Sequence, residues 1–127
     1  MDDYNFKKFE GRNARQEDRI TITKSDSIGF PTKFYKDNYI KDKKYVTLFY
    51  DENKKAVAIF FTTDENDKNK FKIMHSKNNY GGGVIARSFF KSLNIDTKKY
   101  HGRYQWTKKE IVGIGEVYIV NLVEYKK

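Results

Sequence analysis

The chain has 127 residues, which suits one domain and leaves no room for two independent hydrophobic cores. A hydrophobic fraction of 38% and an aromatic fraction of 17% exclude an intrinsically disordered protein, despite a charged fraction of 34%. The formal net charge of +9 favours an anionic partner such as nucleic acid, anionic lipid or an acidic protein, and the absence of cysteine excludes disulfides, thiolate chemistry and cysteine-based zinc sites.

Residues 1–18 are predicted to form a basic N-terminal arm, because charged residues are interleaved there with aromatic ones at no steady period. We expect the arm to be mobile or partly docked, with Arg12 and Arg15 able to lie along phosphates. The alternative is a solvated tail pinned by Phe6 or Phe9. No signal peptide and no stretch as long as a membrane span is found, so we expect a cytoplasmic protein that does not enter a membrane.

The pattern changes after the arm, where apolar residues begin to alternate with polar ones. Ile20 and Ile22 predict a half-buried strand. Residues 24–27 predict a turn, and residues 28–30 predict a second strand.

A short helix and a hairpin complete the first unit. Pro31 suits the first turn of a helix, so a helix is predicted over residues 31–38. Residues 45–61 predict two strands joined by a tight polar turn. The first unit, residues 19–62, is therefore β-β-α-β-β, and the polar residues 63–69 are the predicted linker.

The second unit, residues 70–125, is expected to repeat this plan. Its predicted elements are a strand over 71–76, a turn over 77–83, a helix over 86–93, and a hairpin whose strands, 100–106 and 115–125, are joined by a wide loop over 107–114.

Two segments 55 positions apart carry closely similar sequences. FYKDNYIKDKKY begins at Phe34 and FFKSLNIDTKKY begins at Phe89, with six identities in twelve ungapped positions. Such repeats usually mark a repeated structural unit, so we infer an internal duplication rather than a biased composition. The expected fold is mostly β (α+β), with one domain over residues 19–127 in which two tandem β-β-α-β-β units share a core.

The order of these elements resembles the swapped-hairpin domain of the AbrB/SpoVT family. The family's core combines an apolar residue, a proline, a short helix and an isoleucine nine residues after the proline, followed by a hairpin. The matching positions are Phe30, Pro31, Phe34, Asn38 and Ile40 in the first unit and Ile85, Ala86, Phe89, Leu93 and Ile95 in the second. Two such units in one chain resemble the tandem arrangement of the MraZ family. The resemblance implies a DNA-binding protein, monomeric or homodimeric, with transcription regulation as its role.

The resemblance also implies a sheet and loop surface that offers cations to the phosphates and the major groove of DNA. The residues expected there are Lys24, Lys33 and Lys36 in the first unit and Lys77, Arg87 and Lys91 in the second. Lys36 and Lys91 are the only basic pair of this set that the repeat keeps. Arg87 is the preferred base reader, since a planar guanidinium can form two hydrogen bonds with guanine. The alternative is that these residues are solvated charges on helix faces.

Aromatic residues interleaved with lysine suggest a second mode, the stacking of single-stranded bases on a basic sheet. The aromatic residues expected to be exposed are Tyr35, Tyr39, Tyr50, Tyr80, Phe90, Tyr104 and Trp106. A further alternative is a protein-interaction module, such as an inhibitor of phage or mobile-element type that uses this aromatic surface to block a partner protein.

Catalysis and cofactor binding are not predicted. The two histidines, His75 and His101, have no carboxylate pair at ligand spacing nearby, and no serine nucleophile motif is found. The glycines at 81–83 lack the Lys-Ser/Thr of a phosphate-binding loop, so we expect a flexible turn that lets the backbone approach a partner closely. We therefore expect no enzyme activity, no cofactor and no metal.

Overall fold

A computed structural model describes residues 18–124, and the predicted arm up to residue 17, with Arg12 and Arg15, lies outside the described residues. The strands are β1 (Ile20–Ile22), β2 (Ser27–Phe30), β3 (Tyr45–Asp51), β4 (Ala56–Thr62), β5 (Phe71–Lys72), β6 (Met74–His75), β7 (Gly82–Ile85), β8 (Gly102–Tyr104), β9 (Thr107–Ile111) and β10 (Gly115–Asn121). The helices are α1 (Thr32–Asp37), α2 (Arg87–Ser92) and α3 (Thr97–Tyr100), with 3-10 helices at Ile40–Asp42 and Lys77–Asn79. Within the described range, no helix is long and apolar enough to cross a bilayer.

The strands form two five-stranded sheets in which neighbouring strands are antiparallel. The first sheet has the order β6-β7-β2-β1-β8, and the second has the order β5-β3-β4-β10-β9. The prediction of a mostly-β (α+β) fold is confirmed.

Each sheet is built around a central pair of strands that comes from both halves of the chain. β2 lies beside β7 in the first sheet, and β4 lies beside β10 in the second. β2 and α1 begin and end 55 positions before β7 and α2, which is the spacing of the sequence repeat. Two residues beyond these helices, Tyr39 and Asn94 both have a φ of 56°. The two halves are therefore interleaved rather than placed side by side.

One hydrophobic core joins the two sheets and α1. The ring of Phe30 in β2 meets that of Phe61 in β4, with centroids 5.0 Å apart. The ring of Phe34 in α1 lies edge-on to Tyr118 at 5.1 Å and to Trp106 at 5.2 Å, the geometry that aromatic pairs favour. The core therefore fixes α1 against both sheets.

The second hairpin differs from the prediction. β9 pairs with β10 around a turn at 112–114, although the sequence predicts a loop over residues 107–114. Four of the five residues of β9 are exposed, so the strand lacks the apolar alternation that marks a half-buried strand.

The start of that predicted hairpin is also wrong. Residues 97–100 form α3, which begins where the Asp96 side chain accepts a hydrogen bond from the Lys98 backbone N–H at 3.0 Å. β8 then pairs with β1 in the first sheet instead of with β10.

The strand predicted over residues 71–76 is divided between the two sheets. β5 pairs with β3, and β6 pairs with β7. Between them Ile73 is buried, and its backbone N–H donates to the Lys44 carbonyl oxygen at 2.9 Å. This contact fixes the point at which the chain passes from one sheet to the other.

Two of the glycines at 81–83 lie in a strand instead of in the flexible turn that the sequence predicts. Gly82 and Gly83 belong to β7, between its neighbours β6 and β2. A Cβ on Gly83 would lie 2.9 Å from the Ile28 carbonyl oxygen, and one on Gly82 would lie 3.0 Å from the Met74 carbonyl oxygen. The close approach that glycine permits is therefore made to the chain's own strands.

Residues 63–70, which include the predicted linker, form a loop between β4 and β5. One of its contacts with the second sheet is a hydrogen bond of 2.5 Å from the Thr47 hydroxyl to the Asp67 carboxylate. This bond, with the backbone N–H of Asn69 and the charge of Lys70, lowers the pKa of Asp67.

Candidate nucleic-acid interface

Helix α1 presents lysine to solvent because its aromatic residues face the core. Phe34 and Tyr35 are buried, whereas Lys36 is exposed. The chain then turns through Tyr39 in a left-handed conformation (φ 56°, ψ 38°), and the buried Ile40 anchors the return. This turn leaves Lys36 and Tyr39 together at the surface.

The first cleft lies beside the C-terminal end of α1, against the segment that precedes β7. It has a volume of about 360 Å³ and is lined by Tyr35, Lys36, Tyr39, Lys41 and Asn78. The Lys36 ammonium lies 5.2 Å from the centroid of the Tyr80 ring, a cation–π contact that holds this cation near the cleft.

Two successive hydrogen bonds support the wall of the first cleft. The Tyr35 hydroxyl and His75 Nδ1 are 2.6 Å apart, and His75 Nε2 lies 2.9 Å from the Lys43 carbonyl oxygen. Burial raises the pKa of the Tyr35 phenol, with a smaller effect of Asp42, so the hydroxyl stays protonated at neutral pH. These hydrogen bonds tie α1 to the edge strand β6.

The second cleft lies beside the C-terminal end of α2, against the turn that joins β1 to β2. It has a volume of about 270 Å³ and is lined by Lys24, Asp26, Phe90, Lys91, Asn94, Ile95, Asp96, Thr97 and Lys98. The Thr97 hydroxyl donates to the Asp26 carboxylate at 2.7 Å, and both residues are buried. This bond ties α3 to the turn between β1 and β2.

The two clefts lie at positions that correspond in the sequence repeat. Lys36 and Lys91 each stand on the last turn of a six-residue helix and are exposed. The residues before them, Tyr35 and Phe90, are both buried. The basic pair that the repeat keeps therefore has the same setting in each half of the molecule.

Acidic partners divide the predicted basic set into two groups. Lys33 forms an ion pair with Asp37 at 2.7 Å, and Arg87 Nε lies 4.0 Å from the Asp26 carboxylate. The other members are exposed and make no ion pair among residues 18–124; they are Lys24, Lys36, Lys77 and Lys91. These four are the members best placed to meet an anionic ligand.

Two further lysines line the clefts and were missing from the predicted set. Lys41 lines the first cleft and Lys98 lines the second. Their positions relative to the sequence repeat could have identified them. Lys41 directly follows the repeated Ile40, and Lys98 belongs to the repeated Lys-Lys-Tyr run.

The predicted set of exposed aromatic residues is largely wrong. Tyr35, Phe90 and Tyr104 are buried, Tyr50 and Trp106 are half-buried, and Tyr39 and Tyr80 are exposed. Helix α1 buries Tyr35 and helix α2 buries Phe90, although both residues were expected to be exposed. Pairing of β8 with β1 places Tyr104 in the core. Of this predicted set, the exposed members, Tyr39 and Tyr80, both lie near the first cleft.

The comparisons with known proteins add no name to these clefts. Protein-family models, curated proteins and solved structures give no match to this chain. In the part of the chain that the structure describes, no group of three or more His, Cys, Asp or Glu side chains is placed to hold a metal ion. The features of the two clefts that bear on function are their charge and their shape.

Proposed function

We propose that this chain is a non-enzymatic DNA-binding protein that acts as a transcription regulator in the cytoplasm. The observation that carries the proposal is the recurrence, at both repeat-equivalent clefts, of exposed lysines without an acidic partner among the described residues. The net charge of +9 favours the same class of ligand.

The interleaved architecture supports a duplex as the ligand. Each central strand pair takes one strand from each half of the chain, which fits an approximate two-fold arrangement of the two clefts. Symmetric readers present paired elements to a duplex in this way. The tandem swapped-hairpin interpretation fits this arrangement and stays part of the proposal.

Phosphate contacts are assigned to the lysines and base reading to arginine. Lys36 and Lys91 are the proposed phosphate contacts that the two halves share. Lys24, which lines the second cleft, and Lys77, which precedes Asn78 of the first cleft, are the further proposed contacts. Arg87 is the proposed base reader because its side chain is 70% exposed and its acidic partner is 4.0 Å away, so the guanidinium can reach a guanine edge.

Fluorescence anisotropy of a labelled duplex and of a single strand at two salt concentrations tests the proposal. We expect duplex affinity to fall steeply with salt, because each phosphate contact releases counterions. Exchanging Lys36→Glu and Lys91→Glu together should weaken binding and reduce the slope of log affinity against log salt by about two.

A matched control separates local contacts from net charge. Lys54→Glu, at the exposed turn between β3 and β4, changes the charge by the same amount as Lys36→Glu alone or Lys91→Glu alone. It should weaken binding far less than either of these single variants. Equal loss at all three positions would reduce the interface to net charge alone. No binding of either probe at low salt would reject the proposal and make a protein target the leading candidate.

A further inference from the structure

We propose that the first cleft is a subsite for an unpaired nucleotide, in which the base stacks on Tyr39 and its phosphates meet Lys36 and Lys41. This inference rests on the proposed function and adds a ligand class to one of its two clefts. Single-stranded DNA and an extrahelical base in a duplex offer the same chemistry, an unstacked base on a phosphate backbone.

Tyr39 is an aromatic residue held away from the core. The residue is 69% exposed although its neighbour Ile40 is buried. Its left-handed backbone is one that tyrosine seldom adopts and that asparagine tolerates better. An exposed ring kept in a costly conformation is a feature that persists at ligand sites.

Two cations lie where the phosphates of a base stacked on Tyr39 would pass. Lys36 and Lys41 line the same cleft as Tyr39, and neither makes an ion pair within residues 18–124. The contact of Lys36 with the Tyr80 ring limits its freedom, so the cation is already placed near the cleft before a ligand arrives. The cleft volume of about 360 Å³ falls within the range of roughly 300–1,000 Å³ that is usual for small-molecule sites.

The second cleft supplies an internal comparison. Asn94 takes the place of Tyr39 with the same φ of 56°, and Asp96 takes the place of Lys41. Asparagine offers no ring on which a base can stack, and Asp96 supplies no cation at the position of Lys41. The second cleft keeps Lys24, Lys91 and Lys98, so it suits the paired backbone of the same DNA.

The experiment compares three labelled probes: a fully paired duplex, the same duplex with one extrahelical thymine, and a single-stranded oligothymidine. Stacking of one base predicts that the full-length protein binds the duplex with the extrahelical thymine about 5- to 150-fold more tightly than the paired duplex. Tyr39→Asn should abolish this preference by lowering the affinity for the duplex with the extrahelical thymine to that for the paired duplex. The variant copies the residue that the second half of the chain carries at the same φ, so it is expected to fold.

Two controls separate loss of the ring from other effects. Tyr39→Phe keeps the ring and should keep the preference. Leu93→Ala removes an exposed apolar side chain at the corresponding end of α2 and should also keep it. Far-UV circular dichroism of each variant verifies that it is folded.

The outcomes distinguish this inference from the proposed function. Equal binding of the two duplexes by the unchanged protein, or an unaltered preference in Tyr39→Asn, would overturn the nucleotide subsite while leaving duplex binding in place. A loss of binding to every probe in Tyr39→Asn would also overturn it, because stacking acts only on the unpaired base. Failure of the unchanged protein to bind any probe would overturn both.

Discussion

Asp26 and Thr97 are polar residues buried beneath the second cleft. Their hydrogen bond joins positions 71 residues apart, and the Thr97 hydroxyl also lies 3.2 Å from the Lys24 carbonyl oxygen. A buried carboxylate that loses a donor retains its desolvation cost without the compensating bond. The hydroxyl therefore stabilises both the fold and the shape of the cleft.

Thr97→Val removes this hydroxyl while it conserves the volume of the side chain. We expect the free energy of unfolding to fall by about 1–3 kcal/mol, because the Asp26 carboxylate would be left with fewer donors in a buried position. Urea denaturation followed by circular dichroism measures the change. Thr97→Ser keeps the hydroxyl and should lose less stability than Thr97→Val, and an undiminished stability in Thr97→Val would show that the hydroxyl does not carry the effect.

At the residue scale, the sequence predicted part of the candidate site. Lys36 and Lys91 could be predicted as binding residues because the sequence repeat conserves a lysine at this position in both halves. The ion pair between Lys33 and Asp37 was not anticipated, although their spacing of four places both on one face of α1. The sequence shows that Tyr39 and Asn94 differ, but it does not show that both residues lie in an exposed turn. Exposure of a side chain depends on tertiary contacts.

Gly29 and Gly83 face each other across the central strand pair β2 and β7, yet their surroundings differ. A Cβ on Gly83 would lie 2.9 Å from the Ile28 carbonyl oxygen, which is backbone and cannot yield easily. A Cβ on Gly29 would make its nearest contact at 3.6 Å, with the Thr21 side chain. Two glycines in register therefore predict opposite responses to the same substitution.

Gly83→Ala should lower the free energy of unfolding by about 1–3 kcal/mol, the usual cost of overpacking. Gly29→Ala should leave it unchanged or raise it by about 0.4–1 kcal/mol, because alanine restricts the unfolded chain. Thermal or urea denaturation of the two variants under identical conditions provides the comparison. A larger loss in Gly29→Ala than in Gly83→Ala would contradict the packing described for β7.

At the element scale, the first half of the fold was predictable and much of the second was not. β1 to β4 and α1 follow from alternating apolar residues and from Pro31, which are strong local signals. β9 is an exposed edge strand with two lysines and a glutamate, so local pattern could not reveal it. Its pairing with β10 depends on partners that only the folded chain brings together.

At the scale of the whole molecule, the two sheets share one core and should not unfold separately. Trp106, the single tryptophan of the chain, lies edge-on to Phe34 of α1 and to Tyr118 of the second sheet. We expect tryptophan fluorescence and far-UV circular dichroism to report the same urea midpoint, as a two-state domain requires. Two separated midpoints would show that one sheet persists without the other.

The interleaving of the two halves delays the pairing of the inner strands during protein synthesis. During synthesis, β2 cannot pair with β7 until residue 85 has been added, some 55 residues after the end of β2. In the second sheet, β4 likewise cannot pair with β10 until β10 has been synthesised. At a translation rate of about 5–20 residues per second, that delay is about 3–11 s. Throughout it the nascent first half carries two unpaired inner strand edges, which are templates for pairing with other chains. We therefore expect pairing with other chains to be most probable during this interval of synthesis.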